Sequence, residues 1–197
     1  MLAELRSTLR PAVVLLLLLA GLTGLAFPAA IAGVAQVAFP VQANGSLIRD
    51  GEKIVGSSLI AQGFTGAGYF HPRASAAGDG YNASGSAATN LAPGSKDLRD
   101  AVATRVAEAR AQGMTGANVP PDLVTTSASG LDPDLSPEAA FSQIARVAKL
   151  RGLPEAQLRG LVMAGTSYPF LGVLGEPRVN VLLLNRQLDR VSANAGS

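Results

Sequence analysis

The chain contains no cysteine and no tryptophan, and it has a single histidine. The lack of cysteine excludes disulfide bonds, thiolate metal sites and cysteine nucleophiles. Positive and negative side chains are nearly balanced, 16 against 14, for a net charge of +2. This balance excludes the dense basic surface of a nucleic-acid-binding domain. Three tyrosines and six phenylalanines are the only aromatic residues. The informative features are therefore a long apolar run and several short motifs.

Residues 11–40 form a run without any charged side chain. As a helix, the run would extend about 45 Å, against about 30 Å for the hydrocarbon core of a bilayer. Arg6 and Arg10 precede it, and Arg49 is the first charged residue after it. Because Lys and Arg accumulate on the cytoplasmic side of a span, the N-terminus is predicted to be cytoplasmic. The predicted organisation is a cytoplasmic N-terminus at residues 1–10, a transmembrane anchor at 11–36, an extracytoplasmic domain at 41–191 and a tail at 192–197.

A cleaved secretory signal is the alternative interpretation of the same run. The basic start and the triplet Ala30-Ile31-Ala32, which resembles a cleavage site, both fit a signal peptide. The apolar run, however, continues well beyond the 7–15 residues of an ordinary signal core. A retained anchor is therefore favoured.

Small residues recur four positions apart inside the anchor. Ala20 and Gly24 form one such pair, and Ala29 and Gly33 form a second. In lipid, small residues on one helix face allow close packing against a partner helix. Pro28 is expected to distort the helix, since it lacks a backbone donor. With 22 glycines in the chain, such spacing also arises by chance, so the partner-helix face is one of two open interpretations.

The segments after the anchor predict a hairpin, an ordered loop and a closing strand. Asp50-Gly51 is suited to a tight turn between short apolar stretches. Residues 63–95 are rich in glycine and serine, yet they carry Phe64, Tyr69, Phe70 and Tyr81. A solvated linker would not hold so many aromatics, so this loop is predicted to be ordered against the domain or a partner. Residues 179–184 are predicted to form a strand buried on both faces.

Three helices are predicted between the loop and that strand. Ser95 caps the first, residues 96–112, and Gly113 ends it. The second begins at Ser136-Pro137-Glu138, where each residue suits a helix start, and ends at Gly152. A third, short helix begins near Pro154. The predicted fold class is α+β: a single N-terminal transmembrane helix followed by one extracytoplasmic mixed α/β domain.

The residues suited to chemistry are few. His71 has no serine or aspartate placed by spacing to act with it, which favours an ordinary loop histidine. Asp132 and Asp134 could bind a hard cation or act as an acid–base pair, but Asp-Pro is also a common turn element. Residues 127–130, Ser-Ala-Ser-Gly, resemble phosphate-cradling loops, yet they lack the lysine and glycine spacing of a P-loop. The residues alone predict no reaction.

Several segments together resemble the C subunit of the bacterial potassium-transporting Kdp-type ATPase, over nearly the whole chain. They are Gly56-Ser57-Ser58-Leu59-Ile60-Ala61-Gln62-Gly63-Phe64, Tyr69-Phe70, Tyr81-Asn82, Thr89-Asn90-Leu91, Val119-Pro120-Pro121-Asp122-Leu123-Val124-Thr125-Thr126-Ser127-Ala128-Ser129-Gly130-Leu131-Asp132-Pro133, Ser136-Pro137-Glu138-Ala139-Ala140, Arg146-Val147-Ala148, Arg151-Gly152-Leu153 and Gly175-Glu176-Pro177-Arg178-Val179-Asn180-Val181-Leu182-Leu183-Leu184-Asn185.

The resemblance implies a non-catalytic accessory subunit of a high-affinity potassium uptake complex in the bacterial inner membrane. Its partners would be a channel-like potassium-transporting subunit, an ATP-hydrolysing P-type subunit and a small membrane subunit. K⁺ would be the transported ion, and ATP would enter through the complex. In that family the C subunit is an assembly factor and a catalytic chaperone that raises the ATP affinity of the hydrolysing subunit. The family motifs imply partner or nucleotide contacts at Gln62, Phe64, Tyr81, Asn82, Asn90, Ser127, Ser129, Gly130 and Asp132.

Two features of the chain argue against assigning the family's role to it unchanged. Where the family tends to have a glycine pair, this chain has Ala87-Ala88, and the family's Arg-Pro-Ser-Ala is replaced by His71-Pro72-Arg73-Ala74. The predicted outside location also separates the domain from cytoplasmic ATP, which favours an indirect effect on the ATPase. The alternatives are a membrane-anchored ligand-binding module with the aromatic loop, residues 63–95, as its site, or a periplasmic enzyme that uses Asp132 and Asp134.

Overall fold

The computed structural model describes residues 2–114 and 119–195. The chain divides into two compact units, Met1–Leu47 and Ile48–Ser197. Residues 196 and 197 of the predicted tail lie outside the described residues.

The first unit is one long helical rod. It consists of α1 (Leu2–Gly21), a π-helical turn (Leu22–Ala26) and α2 (Phe27–Ala38), followed by the short α3 (Pro40–Ala43). The stretch Ser7–Ala38 is long and apolar enough to cross a membrane, and its most apolar window buries nothing within the chain. The prediction of a single N-terminal spanning helix is therefore confirmed by length and composition.

The distortion predicted near Pro28 takes the form of the π turn. The backbone N–H of Phe27 donates to the carbonyl of Leu22, five residues earlier. A proline ring clashes with the carbonyl four residues before it, here that of Gly24. The widened turn directly before Pro28 is where the helix accommodates that clash.

The second unit begins with the predicted hairpin. Strand β1 (Leu47–Asp50) pairs with β2 (Lys53–Ser57), and Gly51 lies at φ 59° in the turn. The positive φ explains why glycine follows Asp50, because a side chain at that position would be strained.

The glycine- and serine-rich loop after β2 is ordered against the domain, as predicted. Its only regular element among the described residues is a 3₁₀ turn, Ala83–Gly85, and Ala74 forms a parallel bridge with Thr126. Phe70 is completely buried in the main core. The loop is therefore part of the core and does not act as a linker.

Helices supply most of the regular secondary structure of the second unit. They are α4 (Lys96–Ala111), α5 (Pro121–Val124), α6 (Pro137–Ser142), α7 (Ile144–Arg151) and α8 (Glu155–Gly165). The predicted caps are confirmed: the hydroxyls of Ser95 and Ser136 accept from the N–H of Leu98 and Ala139 at 3.2 Å each. Gly152 ends α7 at φ 65°.

The second predicted helix is interrupted at Gln143, which separates α6 from α7. There the backbone tightens, because the N–H of Gln143 donates to the carbonyl of Ala140, three residues earlier. The fully buried Gln143 side chain is bonded to the main chain of His71. A tertiary contact therefore accompanies the break.

Three very short strands form a sheet in the order β3-β5-β4. Strand β5 (Arg178–Asn180) pairs antiparallel with β3 (Asp134–Leu135) on one side and β4 (Thr166–Ser167) on the other. Val179 lies opposite both Leu135 and Thr166. The core packs around this sheet and includes Phe70, Leu135, Ile144, Val147, Leu158, Val162, Val179, Leu184 and Leu188.

The strand predicted at residues 179–184 is wrong beyond Asn180. The chain turns into α9 (Val181–Ala195), which also continues into the segment predicted as a tail. The Asn180 side chain accepts from the N–H of Leu183 at 3.1 Å and so caps the helix start. Leu184 and Leu188 are buried four residues apart, whereas Leu183 is 41% exposed, which is helical periodicity.

Candidate functional site

Two buried amide side chains hold consecutive residues of the aromatic loop. Asn185 accepts from the N–H of Phe70 and donates to its carbonyl, both at 2.9 Å. Gln143 does the same for His71, at 2.8 and 3.0 Å. Each amide replaces the hydrogen bonds that a neighbouring strand would provide. The loop can therefore cross the core without a sheet partner.

Two arginines of α7 donate hydrogen bonds to the main chain of the residues just before Phe70. Arg146 donates to the carbonyl of Tyr69 at 3.0 Å and also bonds the carbonyl of Ala67. Arg151 donates to the carbonyl of Gly68 at 2.8 Å, and its guanidinium lies 4.3 Å from the Tyr69 ring centre. Burial lowers the pKa of Arg146.

Downstream, the aromatic loop crosses the 127–132 motif at close range. The hydroxyl of Ser75 donates to the carbonyl of Gly130 at 2.6 Å and accepts from the N–H of Tyr81 at 2.9 Å. The N–H of Ala87 and the hydroxyl of Ser86 both donate to the carbonyl of Ser129 at 3.0 Å. The backbones are so close that a Cβ at Gly130 would lie 2.7 Å from Ala77 N and Ala87 O.

A charged network surrounds this crossing. Arg73 pairs with Asp132 at 3.0 Å, and the Tyr81 hydroxyl donates to the carbonyl of Arg73 at 2.8 Å. Arg178 pairs with Asp134 at 3.1 Å. Burial raises the pKa of Asp134, although Arg178 partly offsets it, and burial also raises the pKa of Tyr81. These partners explain why the two aspartates are tolerated side by side.

The structure brings together part of the predicted motif set. Tyr81, Ser129, Gly130 and Asp132 belong to the one network, and Ser127 is buried in the same loop. Gln62 adjoins it, because the N–H of Ala61 donates to the carbonyl of Leu131.

Three predicted residues do not belong to that network. Phe64 lies against Tyr69, with ring centres 5.4 Å apart, and lines a hollow of about 300 Å³ beside α9. Asn82 accepts from the N–H of Ser84 within its own turn. Asn90 is exposed and donates to the carbonyl of Ala88 at 3.4 Å. Among the described residues, no side-chain hydrogen bond joins these three to the crossing, although the backbone N–H of Asn82 donates to the carbonyl of Ala77 at 3.1 Å.

The alanine pair that replaces the family's glycines creates no strain. Ala87 and Ala88 are not among the non-glycine residues with positive φ, which include Tyr81 and Asn90. The backbone N–H of Ala87 donates to the carbonyl of Ser129 at the crossing, and Ala87 is exposed. This conformation therefore does not require glycine at either position.

Asp132 and Asp134 act as structural acceptors. Besides its arginine, Asp132 accepts from the N–H of Asp134 at 3.0 Å, and Asp134 accepts from the Asn180 amide at 3.3 Å. Among residues 2–114 and 119–195, no group of three or more potential metal-ligating side chains occurs. The arrangement neutralises two carboxylates and stabilises a turn.

The phosphate-loop interpretation of residues 127–130 also meets a geometric difficulty. The N–H of Gly130 donates to the carbonyl of Ser127, and that of Leu131 donates to the Ser129 hydroxyl. Two donors that an anion would need are therefore used within the loop. The loop borders an open depression of about 500 Å³ that Arg73 and Asp132 also line.

His71 is half-buried and placed between loop and core. Its Nε2 lies 3.1 Å from the carbonyl of Gly66. Burial lowers the pKa of His71, the hydrogen bond with Gly66 opposes this, and the charge of Arg146 adds to the lowering. In the described part of the chain no hydrogen bond joins its ring to a serine or aspartate side chain.

In the helical rod, the π turn joins the two pairs of small residues. Gly24 and Ala29 are five residues apart, which in a regular α-helix would place them on different faces. A turn with five-residue hydrogen bonds absorbs the additional residue. Ala20, Gly24, Ala29 and Gly33 therefore follow one continuous row, and all four are exposed within the chain.

Sequence reasoning missed Arg73, Ser75, Gln143 and Asn185 as organising residues. Each of them also bonds a residue 52 to 115 positions away, and no local spacing reveals those distant contacts. The only local signal was the presence of polar residues inside apolar helical stretches, at Gln143 and Asn185.

The structure thus defines a chain with one N-terminal helix long and apolar enough to cross a membrane, followed by a mixed α/β domain. The profile of the family described as KdpC, K⁺-transporting ATPase c chain, matches residues 9–190. A potassium-transporting ATPase KdpC subunit of Rhodospirillum rubrum is 56% identical over 92% of this chain and 95% of the relative. Subunits of the same name from Rhodopseudomonas palustris and Caulobacter vibrioides are 54% and 53% identical, over 91% and 93% of this chain and 95% and 93% of theirs. The chain belongs to the KdpC family.

Proposed function

We propose that the protein is a non-catalytic accessory subunit of a potassium-transporting ATPase complex. The observation that carries this proposal is family membership over almost the whole chain, combined with polar clusters that all serve the fold. Its partners are a channel-like subunit, an ATP-hydrolysing P-type subunit and a small membrane subunit. K⁺ is the ion that the complex transports. The protein supports assembly and raises the ATP affinity of the hydrolysing subunit.

The anchor supports assembly by close helix packing. The continuous row of Ala20, Gly24, Ala29 and Gly33 offers a face on which another helix can approach the backbone. The motif residues of the second unit contact partners through the surface around the loop crossing. Tyr81, Ser129 and Asp132 are held there by the Arg73 and Ser75 contacts.

The effect on ATP affinity is indirect. The bias of Arg6 and Arg10 toward one side of the span supports an extracytoplasmic domain, separated from the cytoplasmic nucleotide. A subunit changes the affinity at a distant site when it binds one conformation of the complex more tightly than another. This coupling requires no nucleotide contact at residues 127–132.

Co-purification tests the assignment as a subunit. The full chain, tagged and extracted in mild detergent, is expected to bring the two large membrane subunits with it. A strain lacking the gene is expected to fail at limiting potassium and to recover on re-expression. Isolation of the chain alone, together with normal growth of the deletion strain, would contradict the proposal. The KM of the complex for ATP is expected to rise when the chain is removed.

Single cysteines test the orientation, since the chain has none of its own. Ala103→Cys, at an exposed position in α4, is expected to react with a membrane-impermeant maleimide in intact spheroplasts. Ser7→Cys, at the start of the apolar stretch, is expected to react only after lysis. The reverse pattern would invert the topology. Mass measurement of the mature chain is expected to give an intact N-terminus and so exclude cleavage after Ala32.

A further inference from the structure

The loop between β4 and β5 forms an apolar hairpin whose tip is exposed to solvent. Residues 168–174 make up its tip, and the large side chains there are strongly exposed: Tyr168 71%, Phe170 69%, Leu171 78%, Val173 78% and Leu174 63%. Isolated exposed apolar residues are ordinary, but five within seven positions form a patch that folded proteins normally cover.

The tip has a fixed shape. Phe170 and Leu174 exchange both backbone hydrogen bonds at 3.0 Å, and the N–H of Gly172 donates to the carbonyl of Pro169 at 3.1 Å. Leu171 adopts φ 53°, an unfavourable conformation for a leucine. Leu171 and Val173 are equally exposed and are the most exposed residues of the tip. The fold therefore maintains backbone strain in order to present an apolar side chain to the outside.

Charge indicates what kind of surface covers the tip. Residues 160–175 contain no charged side chain; the arginines that flank them are engaged elsewhere, Arg159 over the Phe141 ring and Arg178 with Asp134, and Glu176 is the first charged residue that follows. Loops that insert into bacterial membranes usually combine apolar residues with Lys or Arg, which attract anionic lipid headgroups. An uncharged, preorganised hairpin beside a glutamate suits an uncharged apolar hollow on a protein, where shape complementarity matters.

We propose that the 168–174 hairpin tip docks into an uncharged apolar hollow on another subunit of the ATPase complex. The proposal rests on the function as an accessory subunit and adds a contact to it. Leu171, 78% exposed, and the neighbouring aromatic side chain of Phe170, 69% exposed, would be the central anchors of the interface. This contact is distinct from the loop crossing at residues 127–132 and from the small-residue row of the anchor.

A photocrosslinker tests the occupant directly. Leu171 is replaced by benzoylphenylalanine in the full chain, in native membranes that contain the whole complex, and adducts are identified by mass spectrometry. An adduct with another ATPase subunit supports the proposal. An adduct with lipid alone, with a second copy of this chain, or with nothing would overturn it.

A charge substitution tests the contribution to binding. Leu171→Asp is expected to reduce recovery of the chain with the detergent-extracted complex by about tenfold or more, since burial of an unpaired carboxylate is strongly unfavourable. Leu150→Asp, at a 55% exposed leucine of α7, is the matched control and is expected to be retained. The melting temperature of the isolated full chain should not change with Leu171→Asp, which separates lost docking from misfolding. Equal recovery of both variants, or equal loss, would overturn the proposal.

The two levels of failure are distinguishable. If the wild-type chain does not co-purify with the complex, the accessory-subunit function itself is contradicted. If the wild-type chain co-purifies and Leu171→Asp is recovered in full, only the docking role of the hairpin is contradicted.

Discussion

Asn185 in the C-terminal helix makes both main-chain hydrogen bonds of Phe70, a residue 115 positions earlier, at 2.9 Å each. Phe70 is completely buried and Asn185 is 1% exposed. The amide therefore satisfies a backbone donor and a backbone acceptor that water cannot reach. Gln143 repeats the arrangement on His71, so two consecutive residues depend on two different helices.

Loss of either amide is expected to destabilise the domain. Asn185→Leu or Gln143→Leu leaves a donor and an acceptor of the buried loop unpaired, which lowers the free energy of unfolding by about 2–5 kcal/mol. The measurement is thermal or urea unfolding of the full chain in detergent. Gln157→Leu, at an exposed position of α8, is the control and should change stability by less than about 0.5 kcal/mol. Equal stability of all variants would show that the two amide side chains do not stabilise the domain.

Gly130 and Gly152 provide a matched comparison of backbone crowding. Their φ values are 67° and 65°, but a Cβ at Gly130 would lie 2.7 Å from two backbone atoms, whereas at Gly152 nothing lies within 4 Å. Gly152→Ala is expected to lower stability by about 1 kcal/mol through φ strain alone. Gly130→Ala should lower it substantially more, because the loop crossing must open. Similar melting temperatures for the two variants would contradict the close crossing.

Because the chain has a single histidine, the pH dependence of stability near neutral pH can be assigned to His71. Burial lowers the pKa of His71 below its ordinary value of 6.5. The folded state then binds the proton less readily than the unfolded state, so stability is lost as pH falls from 6.5 through the folded-state pKa. His71→Gln should remove this part of the pH profile. The imidazole resonance, unique in the NMR spectrum, should titrate below 6.5, and a midpoint above 6.5 would refute the assignment.

Asp134 tests the structural interpretation of the carboxylate pair. Asp134→Asn removes the charge that pairs with Arg178 but retains a side-chain oxygen near Asn180. ATP turnover of the complex is expected to stay within about twofold of the wild type, with a stability change of about 1 kcal/mol or less. Elemental analysis of the purified chain should find no stoichiometric metal in either form. Loss of turnover by a thousandfold would support a catalytic aspartate instead.

Gly24→Leu tests the small-residue row of the anchor. A leucine at Gly24 is expected to prevent close helix approach and to reduce recovery of the assembled complex. Ala35→Leu is the control, since it adds a large side chain to the same rod about 200° around the helix from Gly33. A Cβ at Gly24 meets nothing within 4 Å in the chain itself. Full assembly with both variants would contradict the row as an interface.

Local patterns predicted the elements whose ends are determined by nearby residues. Ser95 and Ser136 cap helices, Gly152 ends one, and Asp50-Gly51 turns the hairpin, as their conformational preferences require. The segment from Val179 was misassigned because β-branched and apolar residues suit both a buried strand and a buried helix. Asn180, which caps α9, was the available signal.

The site was predictable only in part, for a different reason. The family motifs indicated Tyr81, Ser129 and Asp132, but not Arg73 and Ser75, which connect them. Those contacts join residues more than fifty positions apart, so no local spacing encodes them. The interruption of the predicted helix at Gln143 has the same origin, since its partner His71 lies 72 residues away.

The reach of Asn185 back to Phe70 also determines when the domain can close during biosynthesis. Until the last helix has been synthesised, Phe70 lacks the partner that Asn185 provides, although Gln143 can already bind His71. A chain truncated before residue 181 is therefore expected to be cleaved by proteases more readily than the full chain. Completion of the chain is in this way linked to closure of its core.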